Sequence, residues 1–380
     1  MTRFQFAVAL SLAVSLAAAQ DAPATRPASA PATQAVSTRP AASQPASKPA
    51  RDYKLNRQAG YKLEPGPYQV GADLKFSIFD KPRGRRVPLI IRYPKGAPKD
   101  KLLPLIIFSH GAGGSAAAFP QLSDHWASHG YVVVHPTHSD SLQLRRKEGE
   151  SLSDIREDPR NLLKTVKPLD RLADIKLILD SIDKIEEHLP ALKDAEGNGL
   201  IDRKRIGLAG HSAGAYTTQI AIGAKIRGPR ARSPLRNLVD DRITAGILIS
   251  GQGTTNRSFD KDSWADIRRP MMVFAGSLDR SPISDETPES RREPFEFAPP
   301  GDKYLVYIDG ATHSSYAGKA TSRMLGEKPT TDLAVITETV SAATTAFWDL
   351  YLKQDLDARK YLHSAELTTL SDGAAEYKRK

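Results

Sequence analysis

The sequence predicts an α/β fold, a three-layer sandwich with a mostly parallel central sheet and antiparallel strands on its N-terminal side. Three observations carry that prediction. From Ala72 onward, short apolar runs alternate with segments of helical period. Some of the runs, such as Leu102 to Ser109 (LLPLIIFS), are apolar almost throughout, as expected of strands covered on both faces. The helical periods fall between them, where parallel neighbours require long crossovers.

The first residues stand apart from that pattern. Thr2-Arg3 supplies a positive start, Phe4 to Leu16 an apolar stretch and Ala17-Ala18-Ala19 a small-residue site. Residues 1–19 therefore read as a signal peptide cleaved after Ala19. A membrane span would need about 18 or more apolar residues, so no span is expected after cleavage. Residues 20–51 are almost entirely Ala, Pro, Ser and Thr, with no Leu, Ile, Phe, Tyr or Trp. Such a segment buries too little surface to offset its ordering entropy and reads as a disordered tether. A single domain is expected over 52–380, on the sheet pattern that follows.

Leu74 to Ile78 alternates apolar and polar residues, and Val87 to Tyr93 (VPLIIRY) follows across the Pro82-Arg83-Gly84 turn as its antiparallel neighbour. LLPLIIFS ends in His110-Gly111-Ala112-Gly113-Gly114. Phe119 to His129 reads as helix, with Phe119, Leu122 and Trp126 on one face, and Tyr131 to His135 as the next strand. Residues 139–167 are polar and charge-dense. They read as a solvated surface insertion, with the rim of a site as the alternative. Leu172, Ile175, Leu179, Ile182, Ile185 and Leu189 predict one amphipathic helix. Asp194 to Asp202 superficially resembles a calcium loop, but Arg205 stands where the twelfth-position Glu belongs, so it reads as an acidic turn. Further strands are expected at Ile243 to Ser250, Pro270 to Gly276 and Lys303 to Ile308. A long helix is expected at Thr331 to Leu352 and a short one at Asp357 to Leu362.

The formal charge of +10 is interspersed with acids and lies partly in the tether and in Lys378-Arg379-Lys380, so it reads as solvated surface. Nothing resembles a nucleic-acid-binding motif. The chain has no Cys, which removes disulfides, a thiol nucleophile and any Cys-based zinc site. His135-Pro136-Thr137-His138 lacks an accompanying acidic or histidine cluster, so no metal and no cofactor are expected.

Chemistry concentrates at Arg205 to Gly214, RIGLAGHSAG. A short apolar run ends in Gly210-His211-Ser212-Ala213-Gly214 and an Ala-rich helical segment follows, which is the G-x-S-x-G pattern of a strand-to-helix nucleophile elbow. Side chains at either glycine would collide with the neighbouring strand or helix. A serine hydroxyl attacks a carbonyl only with an imidazole to take its proton and an acid to orient the imidazole. Asp279 follows the strand PMMVFAG and His313 follows KYLVYI, in the chain order Ser, Asp, His expected on this architecture. Asp285 and Asp260 are the rival acids. His363, the only other histidine after the elbow, follows no strand. Oxyanion donors are expected from the backbone N–H groups of Ala213, at the helix start, and of Ala112 in the HGAGG loop. Candidate pocket residues are His211, Thr137, His138 and Trp264, with Phe259, Phe295 and Phe297 open between pocket and core.

The blocks FSHGAGG, HWASHGYVVVHPTHSDS, RLADIK, RIGLAGHSAGAYT, MMVFAGSLDRSP and LVYIDGATHSSY resemble the α/β-hydrolase superfamily. Within it they are similar to bacterial platelet-activating factor acetylhydrolase-like and dienelactone hydrolase-like serine esterases, with cutinase-like polyesterases as cousins. The resemblance implies Ser212, Asp279 and His313 as the triad, and Ala112 and Ala213 as oxyanion donors. Dienelactone hydrolases proper use a Cys nucleophile and cutinase-like enzymes often a disulfide, neither of which this chain has. The resulting expectation is an exported, secreted or periplasmic serine hydrolase that cleaves small-molecule or polymeric carboxylic esters through an acyl-enzyme. A peptidase or amidase on the same fold is one alternative. A degenerate cell-surface binding module is the other.

Overall fold

Along each central strand, successive side chains turn to opposite faces, and here both faces are apolar. Leu105 and Ile107 pack with Ile175, Ile178 and Ile220 on one side, while Ile106 and Phe108 pack with Trp126, Ala343 and Phe347 on the other. Two buried layers on one sheet require helices on both faces, which gives three layers. The structure is a computed structural model that describes residues 51–228, 234–281, 283–319 and 328–380. The expected leader (1–19) and tether (20–51) lie outside the described residues, Arg51 apart.

The elements begin with β1 (Gln69–Asp73), β2 (Ser77–Asp80), β3 (Arg85–Lys95), β4 (Leu103–Ser109), α1 (Pro120–Ser128) and β5 (Val132–Pro136). Three short helices, α2 (Leu142–Lys147), α3 (Ser153–Glu157) and α4 (Asn161–Thr165), lead to α5 (Pro168–Leu179) and α6 (Ile182–His188). Strand β6 (Ile201–His211) runs into α7 (Ala213–Ala221). A small antiparallel pair, β7 (Ile226–Arg227) and β8 (Leu235–Arg236), precedes β9 (Ala245–Ile249). Next come β10 (Met271–Leu278), α8 (Glu293–Phe297) and β11 (Lys303–Thr312). The last elements are α9 (Leu333–Lys353), α10 (Leu356–Leu362), α11 (Glu366–Leu370) and β12 (Ala375–Arg379).

The sheet order is β1-β3-β5-β4-β6-β9-β10-β11-β12, with β2 also on β3. Pairs from β5 through β11 are parallel. The β1–β3, β2–β3, β3–β5 and β11–β12 pairs are antiparallel. The architecture is thus the expected α/β sandwich, with two antiparallel strands more than foreseen in the main sheet, β1 at one edge and β12 at the other. Strand β12 escapes a sequence reading because its pattern, AEYKR, is mostly polar and exposed. No described helix is long and apolar enough to cross a membrane.

Three expectations change. The single helix over Leu172 to Leu189 is two, broken at Asp180-Ser181, where short polar side chains favour a turn over continued helix. The helix expected from Phe119 starts at Pro120, and Phe119 takes a left-handed φ of 52° as its cap. A residue before proline is pushed out of the right-handed helical region, and proline itself suits the first helical turn. Residues 139–167 are not simply solvated loop: Leu152, Ile155 and Leu162 form a small buried cluster that packs on Leu142, Ala112 and Ile283.

Candidate active site

Strand β6 ends at His211 and α7 begins at Ala213, so Ser212 alone makes the turn between them. Its φ of 54° and ψ of −118° lie where a residue with a side chain is strained. The flanking glycines permit it. A Cβ at Gly210 would lie 2.2 Å from Gly214 C, and one at Gly214 would lie 1.8 Å from Ser109 O. That contact sets the start of α7 hard against the end of β4. The HGAGG loop consequently passes beside the serine, and a Cβ on Gly111 would be 3.4 Å from Ser212 Cβ. The Ser212 side chain takes no cap hydrogen bond from α7 and faces a cavity instead.

Two more strand ends converge there. Asp279 follows β10 and is fully buried, and His313 follows β11 with its Nδ1 2.9 Å from Asp279 Oδ1. Ser250, just after β9 and at a left-handed φ of 58°, places its Oγ 2.6 Å from His313 Nδ1. The same hydroxyl lies 2.7 and 2.6 Å from the two Asp279 carboxylate oxygens. Tyr316 donates its OH to Asp279 Oδ2 at 3.2 Å. Burial raises the Asp279 pKa, but the Arg291 charge and the hydrogen bonds from His313 and Ser250 overcome it and hold the carboxyl at about 2. Burial and then the Arg291 charge push His313 below the ordinary imidazole value, against the hydrogen bond that it donates to Asp279. The arrangement is a neutral imidazole backed by a carboxylate.

The cavity measures about 200 Å³. Gly111, Ala112, Phe119, His211, Ser212 and His313 are among its walls, with Ile283 and Lys319 farther along. His211 is half-buried and lies across the His313 ring at a centroid distance of 4.7 Å. It donates Nε2–H to His313 O at 2.8 Å. Burial and the neighbouring His313 push its pKa down to about 3, so it stays neutral. Phe119 joins the wall because its left-handed backbone turns the ring against Phe108 and His211.

Beneath the HGAGG loop lies a buried charged network. Arg171 forks onto Asp140, with Nε to Oδ1 at 2.9 Å and Nη2 to Oδ2 at 2.7 Å. The same guanidinium donates to His110 O at 2.6 Å and to Gly111 O at 3.1 Å, while Asp140 accepts from Gly113 N at 3.0 Å. His110 accepts the His138 N–H on Nε2 and so donates Nδ1–H to Gly111 O. The loop is therefore held through its backbone on both sides of Ala112. Among the described residues, no cluster of three His, Asp or Glu side chains is arranged to hold a metal ion.

Of the expected site residues, the structure gathers Ser212, Asp279, His313, Ala112, Ala213 and His211 at these strand ends. Thr137, His138 and Trp264 do not line the cavity and are corrected. Thr137 Oγ1 accepts from Ala116 N at 3.0 Å. His138 is fully buried between Ser109 Oγ, at 2.9 Å, and Asp174 Oδ2, at 2.8 Å. Trp264 packs with Phe259 and Phe297 in the core, its Nε1 on Gln219 Oε1 at 2.7 Å. A buried tryptophan needs a partner for its N–H, and here the core supplies one. Sequence reasoning missed Ser250, Arg291, Asp140, Arg171 and Phe119. For Phe119 alone a local signal existed, the following proline.

Comparison with known proteins covers part of this site. Residues 91–228 match the family described as platelet-activating factor acetylhydrolase, isoform II. That span holds the HGAGG loop and the elbow and stops short of Asp279 and His313. The fold is that of the α/β-hydrolases, and the chain is similar to the platelet-activating factor acetylhydrolases. It is 23% identical to that enzyme from Canis lupus familiaris over 288 residues, 67% of this chain and 59% of the relative. It is 22% identical to the one from Cavia porcellus over 276 residues, 66% of this chain and 58% of the relative. The chain thus spans about three-fifths of the length of the curated relatives it matches.

Proposed function

We propose that this chain is an exported serine hydrolase that cleaves carboxylic esters through an acyl-enzyme intermediate. The observation that carries the reading is that His313, hydrogen-bonded to the buried Asp279, lines the same cavity as Ser212, whose own backbone is strained into the elbow. In the reaction, Ser212 Oγ bonds to the ester carbonyl carbon and passes its proton to His313 Nε2. Asp279 keeps the Nδ1–H tautomer and stabilises the imidazolium. The tetrahedral oxygen accepts hydrogen bonds from the N–H groups of Ala112 and Ala213. His313 then gives its proton to the departing alcohol as the ester C–O bond breaks. Water attacks the acyl-enzyme with His313 again as base, releasing the acid and restoring Ser212.

The relatives' name describes removal of an acetyl group from platelet-activating factor. A cavity of about 200 Å³, small beside the roughly 300–1,000 Å³ of drug-sized sites, supports a short acyl group here too. Export rests on the leader pattern at 1–19. The test compares p-nitrophenyl acetate, butyrate and decanoate with the Ser212→Ala variant as control. Turnover should fall steeply with acyl length and vanish in the variant while its circular dichroism is unchanged. Undiminished turnover by Ser212→Ala overturns the proposal.

A further inference from the structure

The acid of the site is held by more than its histidine. Arg291 lies in the short turn Ser290–Arg292, on the segment that leads away from Asp279, and its side chain is 1% exposed. Its Nε donates to Asp279 O at 2.8 Å and stands 2.8 Å from Asp279 Oδ1. Its Nη1 donates to Ser250 O at 2.8 Å and to Gly251 O at 2.9 Å. One guanidinium therefore spans the residues that follow two adjacent strands, β9 and β10. The Ser250 hydroxyl completes the bridge by touching both carboxylate oxygens and His313 Nδ1. A planar fork with five N–H donors is suited to such a junction, and an ammonium on a flexible stem is not.

We propose that Arg291 and Ser250 are positioning residues for the Asp279–His313 pair, Arg291 by tying the ends of β9 and β10 together and Ser250 by fixing the carboxylate against the imidazole. The inference rests on the hydrolase reading above and extends it to residues that touch no substrate. It has a consequence in pH. A buried cation beside the acid opposes the imidazolium, so His313 stays an active base in more acidic solution than the carboxylate alone would allow. The other groups facing the pair are Glu286, which favours the imidazolium, the neutral His211, the Tyr316 hydroxyl on Asp279, and Lys319 on the cavity wall. None of these is a cation in contact with the acid, whereas Arg291 is.

The experiment measures kcat/KM for p-nitrophenyl acetate, and the rate of fluorophosphonate labelling, from pH 4 to 9. It uses the full chain and the variants Arg291→Gln, Arg291→Lys and Ser250→Ala. Removing the charge in Arg291→Gln should move the acidic limb of both profiles upward by about one pH unit. Arg291→Lys should leave the limb near its original pH while kcat falls by about tenfold, because the backbone tie is lost and the charge is kept. Ser250→Ala should lower kcat with KM for the ester unchanged. An unmoved limb in Arg291→Gln overturns the inference. Should that variant not fold, Arg291→Lys with unchanged kcat overturns it as well. Failure of the hydrolase reading itself looks different, since the full chain would then take up no label, or Ser212→Ala would keep its activity and its labelling.

Discussion

Replacing Gly214 with Ala tests the elbow geometry in a way that separates it from the identity of the nucleophile. The added methyl would sit 1.8 Å from Ser109 O, 2.5 Å from Ser109 C and 2.9 Å from His110 O, all of them backbone atoms at the end of β4. Real Cβ atoms essentially never approach closer than 3.0 Å. The start of α7 and the loop that carries Ala112 must therefore separate by about 1 Å or more, and no side chain can swing aside to spare them. Overpacking of this kind costs about 1–3 kcal/mol of stability. The cost to catalysis is larger, because a misplacement of about 1 Å in a catalytic constellation is worth roughly 10²-fold in rate. Gly111→Ala is the graded partner: its methyl would meet His211 Nδ1 at 3.1 Å and Ser212 Cβ at 3.4 Å, which the neighbours absorb with smaller shifts. Urea unfolding and p-nitrophenyl acetate turnover on both variants read the two costs. Gly214→Ala should lose activity far out of proportion to stability, and more than Gly111→Ala. A Gly214→Ala enzyme as active as the parent would refute the packing of α7 against β4.

Two further outcomes follow from the buried polar groups. Asp140→Asn leaves the Arg171 charge buried without its counter-ion, which typically costs about 3–5 kcal/mol, so the urea midpoint should drop markedly and labelling of the serine should slow as the HGAGG loop loosens; an unchanged midpoint contradicts the network. Stability should also decline in mild acid. His110, His135 and His138 are fully buried, and burial holds each below the ordinary imidazole pKa, His135 at about 3. Unfolded, each takes up a proton below about pH 6.5. Their contribution is therefore complete above that pH and is lost as pH falls toward the folded values, by up to ~1.4 kcal/mol per pH unit for each histidine. The depressed carboxyls Asp140, Asp174 and Asp279 act in the same direction, but only below about pH 4. Denaturation midpoints at pH 7.5, 6 and 5 should fall in that order, and equal midpoints would contradict this account.

Much of the fold is legible in the sequence because its signals are local. LLPLIIFS and YVVVH announce doubly covered strands by composition alone, and the elbow is readable because the steric demand for glycine falls within five residues. The pairing of Asp279 with His313 is legible as order along the chain after strand ends. What stays hidden is set by contacts distant in sequence. Arg171 and Arg291 look like surface charges until the fold brings them to Asp140 and Asp279, which lie 31 and 12 residues away. Ser250 is one serine among many until a left-handed turn aims it at the carboxylate. Trp264 misleads in the opposite sense: an aromatic in a loop reads as a pocket residue, and a partner for its indole N–H holds it in the core. The insertion at 139–167 hides its cluster because charged and polar residues surround Leu152, Ile155 and Leu162, and Pro159 interrupts the helical spacing that would link them.

The central claim is that Ser212 is an activated nucleophile rather than a strained turn residue. A fluorophosphonate reacts only with an activated serine, so labelling of the folded protein followed by peptide mapping tests it most directly. The account predicts one modified site, Ser212, with labelling abolished in His313→Ala and by prior unfolding. A folded protein that takes up no label, or one that hydrolyses esters while its label sits on another serine, would contradict it.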